Sequence, residues 1–351
     1  MKKIPKILLL FIFPILFCNY LSAQSVLIDT TASIFKELQR DTILELTLRT
    51  DTKQLIKKKY KEEWQEVDVK FVSKNEELLQ YKAKLRTRGN IRKEVCYYPP
   101  LKLKFNKEWL KEKGLDSTFN DLKLVLKCRK GTNYHKLILK EYLSYQLYAA
   151  LTEYSFKTQL ISLKILDSKE ERKAIESIGF LIENQDEMAA RLNGRCTKPV
   201  IMRSKSIDTK QWAFLSLFEY MIGNTDWAMP NSHNVRYIVT RTNDKVIPIA
   251  YDFDYCGLVN APYAVHRESI NIEEITTRYF LGSCQINNQL AQHLPLFLDK
   301  KESLYKIVND FDLLPAKDRQ NIIQYLDQFY SIISSPKQFK RKILDNCIEN
   351  Y

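Results

Sequence analysis

The sequence predicts an α+β fold of two lobes, a small mainly antiparallel-β lobe carrying one long helix and a larger, mainly helical lobe. Three observations predict it. Up to Glu183 the chain is rich in segments whose apolar residues alternate with polar ones, the period of strands with one covered face. From Asp208 onward apolar residues return at helical spacing instead. Between the strands, Leu139, Leu143, Leu147 and Ala150 mark one face of a single long helix. The expected division is a leader at 1–23, a β-rich lobe at 24–184 and a helical lobe at 185–351.

The leader reading rests on order of chemistry. Lys2, Lys3 and Lys6 make a basic start, Ile7 to Phe17 is apolar, and Leu21-Ser22-Ala23 offers a small-residue cleavage site before Gln24. Phe17 fits poorly before Cys18 as the acylated residue of a lipoprotein. The expectation is an exported protein, periplasmic or extracellular, associated with a membrane only if lipid-anchored or if the leader is retained. Removal of the leader leaves about 330 residues, enough for a substantial core. It also takes three lysines from a formal charge of +13, and the remaining excess favours anionic partners. Neither a zinc-finger spacing nor an arginine-rich arm is present, so nucleic acid is not an expected partner. Of seven cysteines, six lie beyond the leader, scattered and without a CxxC pair. They are expected to be mostly buried thiols with at most one bridge, because a chain this long folds on its core.

Taken in order, Asp41 to Thr50, Leu79 to Gly89 and Leu101 to Phe105 alternate as antiparallel strands. In the last, Leu101, Leu103 and Phe105 share one face, which puts Lys102 and Lys104 on the other. Arg86 and Arg88 precede Gly89-Asn90, a turn pair, and a guanidinium delivered at such a turn suits a phosphate. Ile161 to Leu166 and Ser177 to Asn184 form a strand pair around a charged loop. Asp208 caps a helix whose stripe of Trp212, Leu215 and Phe218 suits core packing, and Gly223 stops it. Glu268 to Tyr351 reads as helices with short connections.

The chemistry concentrates between Gly223 and Asp254. Asp226, Asn231 and Asn234 lie in a polar loop after the helix, and the β-rich run Val246 to Ala250 leads to Asp252, with Asp254 two residues further. Oxygen donors converging from two segments suit Mg²⁺ or Mn²⁺ better than a transition metal. Such a site serves phosphoryl transfer, where the protein chiefly positions the reactants and neutralises charge.

The order D-x(4)-N-x(2)-N from Asp226, a strand pair and then DFD resembles protein-kinase-like folds, and most closely the CotH-type kinases. RTRGN at Arg86 to Asn90, PLKLKF at Pro100 to Phe105, LKLVLK and LILKEYLSYQLYAAL extend the resemblance over Leu79 to Asp254. The resemblance implies a bilobed protein-kinase-like fold with Asp226 as the catalytic base. It implies Asn234, or Asn231 in its place, and Asp252 as metal ligands, with Asp254 beside them. It also implies that Lys102 or Lys104 contacts phosphate and pairs with Glu141, and that Glu183 ends the strand that leads to the nucleotide. The function expected is metal-dependent transfer of a phosphoryl group from ATP to a protein or glycan hydroxyl. A kinase-like binding protein without transfer activity is the alternative, since no G-x-G-x-x-G occurs. A metal-dependent phosphatase or nuclease would need more carboxylates and histidines close together than this segment supplies.

Overall fold

Seven of the alternating segments pair at both edges and close a barrel. The strands are β1 (Leu44–Thr50), β2 (Gln65–Val72), β3 (Leu78–Thr87), β4 (Leu101–Phe105), β5 (Asp121–Leu126), β6 (Thr158–Asp167) and β7 (Ile175–Ile182), in the order β1-β2-β3-β4-β5-β7-β6. Every neighbouring pair is antiparallel except the closing one, where β6 runs parallel to β1 with Leu44 opposite Ile161. The computed structural model describes residues 32–197, 206–266 and 270–349. The leader expected at 1–23 lies outside the described residues.

Alternation decides which side chains fill the barrel. Leu46, Leu48, Val69, Leu85, Leu103 and Leu124 point inward and are buried. The short helix α1 (Ile34–Leu38) contributes Ile34, Phe35 and Leu38 to the same interior, and Leu110 of α4 (Lys107–Glu112) adds to it. Two other short helices sit on connections, α2 (Thr52–Lys57) after β1 and α3 (Ile91–Val95) after β3.

The long helix α5 (Thr132–Leu151) lies against the outside of β6 and β7. A second core forms there, in which Ile138, Leu143 and Leu147 of α5 meet Val125 and Phe180 from the outer barrel face. The same core continues without a break into α7 (Thr209–Ile222) and the C-terminal helices α8 (Asn287–Asp299), α9 (Lys301–Asn309), α10 (Ala316–Ile333) and α11 (Pro336–Lys342). A small sheet of order β10-β9-β8 sits between, built from β8 (Gly194–Thr197), β9 (Val235–Thr240) and β10 (Asn243–Ala250), with α6 (Gln185–Arg191) beside β8.

This corrects the bilobed protein-kinase-like arrangement expected above. The β part is a closed mixed barrel rather than an open antiparallel sheet, and residues from Ala32 onward cluster as one compact unit. The reason is the β1–β6 pairing across more than a hundred residues, which removes both sheet edges at once. The cysteine expectation is corrected as well. Cys96 is bonded to Cys128 and Cys284 to Cys347, while Cys196 and Cys256 are free. Among the described residues no helix is long and apolar enough to cross a membrane.

One buried acid ties α1 to α6. The Ser33 hydroxyl donates to Glu187 Oε1, while Oε2 has no hydrogen-bond partner among the described residues. Burial raises the Glu187 carboxyl to about 7, Ser33 opposes the shift and Glu183 adds to it. The folded state then holds a proton that the unfolded chain, with its ordinary value near 4.5, has already lost. Stability from this group is therefore undiminished below about pH 4.5 and declines as pH rises toward 7, by a total on the order of 3 kcal/mol. Glu187→Gln, which keeps a partner for Ser33, is expected to melt like the wild type at pH 4.5 and well above it at pH 7.5. Parallel thermal melts across that range check the window.

Candidate active site

Helix α7 delivers the first acidic loop. Asp208 caps it by accepting from the Lys210 and Gln211 N–H groups at 3.0 Å each, and Gly223 ends it in the left-handed region at φ +66°. A Cβ at Gly223 would also stand 2.0 Å from the Tyr325 hydroxyl, so the stop is sterically specified. The Asn224 side chain donates to Glu219 Oε2 at 2.9 Å and accepts the Asp226 N–H at 2.9 Å. Asp226 is then fixed by two groups from its own loop. Its Oδ1 meets His233 Nε2 at 2.7 Å, and Asn234 Nδ2 donates to Oδ2 at 2.9 Å and to the Asp226 carbonyl at 2.7 Å. The carboxylate remains partly exposed to a cavity of about 400 Å³.

The second acidic segment lies past the end of β10. Asp252 does not continue the strand but adopts φ +71°, with its N–H donating to the Tyr145 hydroxyl at 2.9 Å. Asp252 and Asp254 therefore meet through a turn, not through the strand alternation expected from the sequence. Glu141, a buried residue of α5, joins them. One oxygen from each of Glu141, Asp252 and Asp254 lies within 4.8 Å of the other two. The buried Arg92 backs this cluster, its Nε donating to Asp254 Oδ2 at 2.7 Å and its Nη2 to Glu141 Oε2. Glu141 Oε1 is buried and has no hydrogen-bond partner among the described residues. Burial raises the carboxyls of Glu141 and Asp254, Arg92 opposes the shift, and the neighbouring carboxylates add to it. An orphaned buried oxygen inside an all-oxygen donor set fits a hard divalent cation.

Cations face the acids across the cavity. Arg88 and Arg236 line it, and the Arg236 guanidinium lies 4.1 Å from the Tyr251 ring centroid. Lys123 of β5 is buried against the same ring, with Nζ 4.2 Å from the Tyr251 centroid and 5.6 Å from that of Phe156. Its ammonium is shielded from solvent and has no hydrogen-bond partner among the described residues. Burial pushes its pKa well down, Arg88 and Arg236 push the same way, and Asp252 opposes them.

The other sequence candidates are distributed differently. Asn231 lines the cavity, with its side-chain oxygen accepting the His233 N–H at 3.2 Å. Lys102 pairs with Asp121 at 3.0 Å. Lys104 is exposed and lines a separate groove with Trp64 and Trp109. Neither lysine pairs with Glu141, which meets Arg92 instead. Arg86 pairs with Glu62 at 2.7 Å and lies over the Trp64 ring. Glu183 is buried in an ion pair with Arg191 at 2.6 Å and accepts the Lys157 N–H at 2.6 Å, so its oxygens serve packing.

Lys123, Arg92 and Arg236 are residues that sequence reasoning passed over. For Lys123 a signal existed. In Leu122-Lys123-Leu124-Val125-Leu126 the leucines face the barrel, and an apolar Val125 on the opposite face marks that face as covered too. In Leu101 to Phe105 both outward residues are lysines, the pattern of a solvated face. Arg92 carries no such signal, because its two partners come from α5 and the turn after β10.

No family model matches the chain, and no curated protein does, so membership of the CotH-type family is not confirmed. Solved structures that match include the Helicobacter pylori proinflammatory kinase CtkA, at 12% identity and a TM-score of 0.37, over 70% of this chain and 91% of that one. So shallow a likeness assigns neither fold nor activity.

An ammonium shielded from solvent, with ring contacts but no hydrogen bond among the described residues, is a cost to the fold. Lys123→Met, close in volume, is expected to stabilise the protein by about 1–3 kcal/mol. A raised denaturation midpoint with an unchanged denaturant slope is the measurement that checks it.

Proposed function

We propose that the protein is a metal-dependent phosphotransferase that moves a phosphoryl group from a nucleoside triphosphate such as ATP to a hydroxyl of a protein or glycan. The single observation that carries this reading is one cavity lined by the fixed Asp226, by Asp252 and Asp254 and by the cations Arg88 and Arg236, with Glu141 buried beside the two carboxylates and Lys123 buried against the Tyr251 ring. Asp226 is oriented by His233 and Asn234 yet keeps access to the cavity, which suits accepting a proton from an attacking hydroxyl. In the step proposed, that oxygen bonds to the terminal phosphorus, the bond from phosphorus to the leaving diphosphate oxygen breaks, and the proton passes to Asp226. Arg88 and Arg236, which line the cavity, and Lys123 behind the Tyr251 ring would hold the phosphate oxygens, and the charge that phosphate brings relieves an ammonium without a hydrogen-bond partner among the described residues.

Asp252 and Asp254 would hold Mg²⁺ or Mn²⁺, with the free oxygen of Glu141 and the side-chain oxygen of Asn234 beside them. A divalent cation bound there supplies charge neutralisation on the transferring phosphoryl group. The lysine role foreseen for Lys102 or Lys104 passes in this reading to Lys123. Two disulfides support the exported location expected from the leader.

Two substitutions separate positioning from metal binding. Asp252→Ala is expected to abolish the metal-dependent part of nucleotide binding measured by calorimetry, since a ground-state ligand is lost. Asp226→Ala should bind nucleotide and metal nearly as the wild type does while transfer to acceptor falls by a factor on the order of 100 or more. Equal wild-type nucleotide titrations with and without Mg²⁺ or Mn²⁺ would remove the metal from this reading. In the same assay Lys123→Met is expected to weaken nucleotide binding on the order of tenfold or more despite its added stability.

A further inference from the structure

Arg92 is the only buried residue of α3, a five-residue helix with no side-chain N-cap. So short a helix has little stability of its own, yet this one is tied down at four points. Arg129 donates twice to the Val95 carbonyl, at 3.2 and 2.8 Å. Lys59 Nζ donates to the Cys96 carbonyl at 2.9 Å, Lys93 pairs with Glu62, and Cys96 is bonded to Cys128 just beyond β5. What these ties hold in place is one guanidinium, which reaches Glu141 on α5 and Asp254 after β10. It takes one oxygen from each carboxylate and leaves Glu141 Oε1 without a partner inside the acidic cluster.

We propose that Arg92 is the positioning residue of the cation site, and that the Cys96–Cys128 bridge is the tether that keeps it there. This rests on the metal-binding role proposed above for Asp252 and Asp254. The guanidinium holds a fixed fork of donors, so it fixes one oxygen of Glu141 and one of Asp254 while the two carboxylates stay within 4.8 Å of Asp252. Three carboxylates this close repel one another, and without a buried cation behind them they separate or take up protons. Arg92 thus prearranges a donor set that the divalent ion completes.

The test is Mn²⁺ binding to the full chain without nucleotide, read from the free-ion paramagnetic resonance signal, with thermal melts on every variant. Arg92→Gln is expected to weaken Mn²⁺ at least tenfold. Arg92→Lys, which restores the charge but not the fork, should recover part of that loss. The double variant Cys96→Ser with Cys128→Ser, all other groups intact, is expected to weaken Mn²⁺ severalfold. A merely structural arginine would lower the melting temperature and leave the Mn²⁺ affinity of the folded protein as it was. Unchanged affinity in folded Arg92→Gln overturns the proposal, and so does tighter binding, which would make Arg92 a competitor of the ion. If Arg92→Gln does not fold, Arg92→Lys decides by the same criterion. Asp252→Ala separates the two readings. Loss of Mn²⁺ there but not in the Arg92 variants defeats this inference alone, whereas a wild type that binds no Mn²⁺ defeats both.

Discussion

A guanidinium buried between two carboxylates cannot be relaxed by water, so the segments that carry the three groups are forced into register. Here those segments are α3 after β3, α5 on the outer barrel wall, and the turn that follows β10. Breaking such a pair by removing one partner leaves an uncompensated buried charge, at a cost of about 3–5 kcal/mol. The Arg92 pairs are therefore a strong constraint on the distance between the barrel and the β9–β10 hairpin. Every other feature of the cavity is set against that distance.

The hairpin itself is positioned by apolar packing. Ile238, Ile247, Ile249 and Ala250 are buried in the core that also holds α7, so the loop before β9 and the turn after β10 open on the same side. Asp226 and Asp252 are then delivered at the same end of one two-stranded unit, where Val235 pairs with Ala250. Tyr145 and Tyr148 of α5 take the Asp252 and Ala250 N–H groups, which ties this unit to the helix that brings Glu141. Lys123 comes from β5 and meets the Tyr251 ring. The acids and cations thus sit on different elements that share packed interiors, a rigid basis for placing charges around phosphate.

Closure of the barrel decides which lysine enters this arrangement. In sequence Leu101 to Phe105 and Leu122 to Leu126 differ on the outer face by one residue, Val125 standing where β4 has a second lysine. In the barrel, β5 has β7 on its far side and carries Val125 into the core beneath α5, whereas Lys104 on β4 faces an outer groove. The same closure explains why two lobes were expected and one compact unit is found. Strand period was legible, but the partner of β1 was not.

The sequence by itself determined what depends on near neighbours. Alternation marked Asp41 to Thr50, Leu79 to Gly89 and Leu101 to Phe105 as strands with one covered face, Asp208 and Gly223 bounded α7, and Asp226, Asp252 and Asp254 stood out as a concentration of oxygen donors. These features follow from backbone period, capping and local hydrogen bonding, all expressed within a few residues. The tertiary structure alone decided the parallel β1–β6 pair, the Cys96–Cys128 and Cys284–Cys347 bridges and the capture of Glu141 by Arg92. Each joins residues more than thirty positions apart or depends on what covers a face. Such contacts are selected by the shape and charge of the assembled interior, and no local period encodes them.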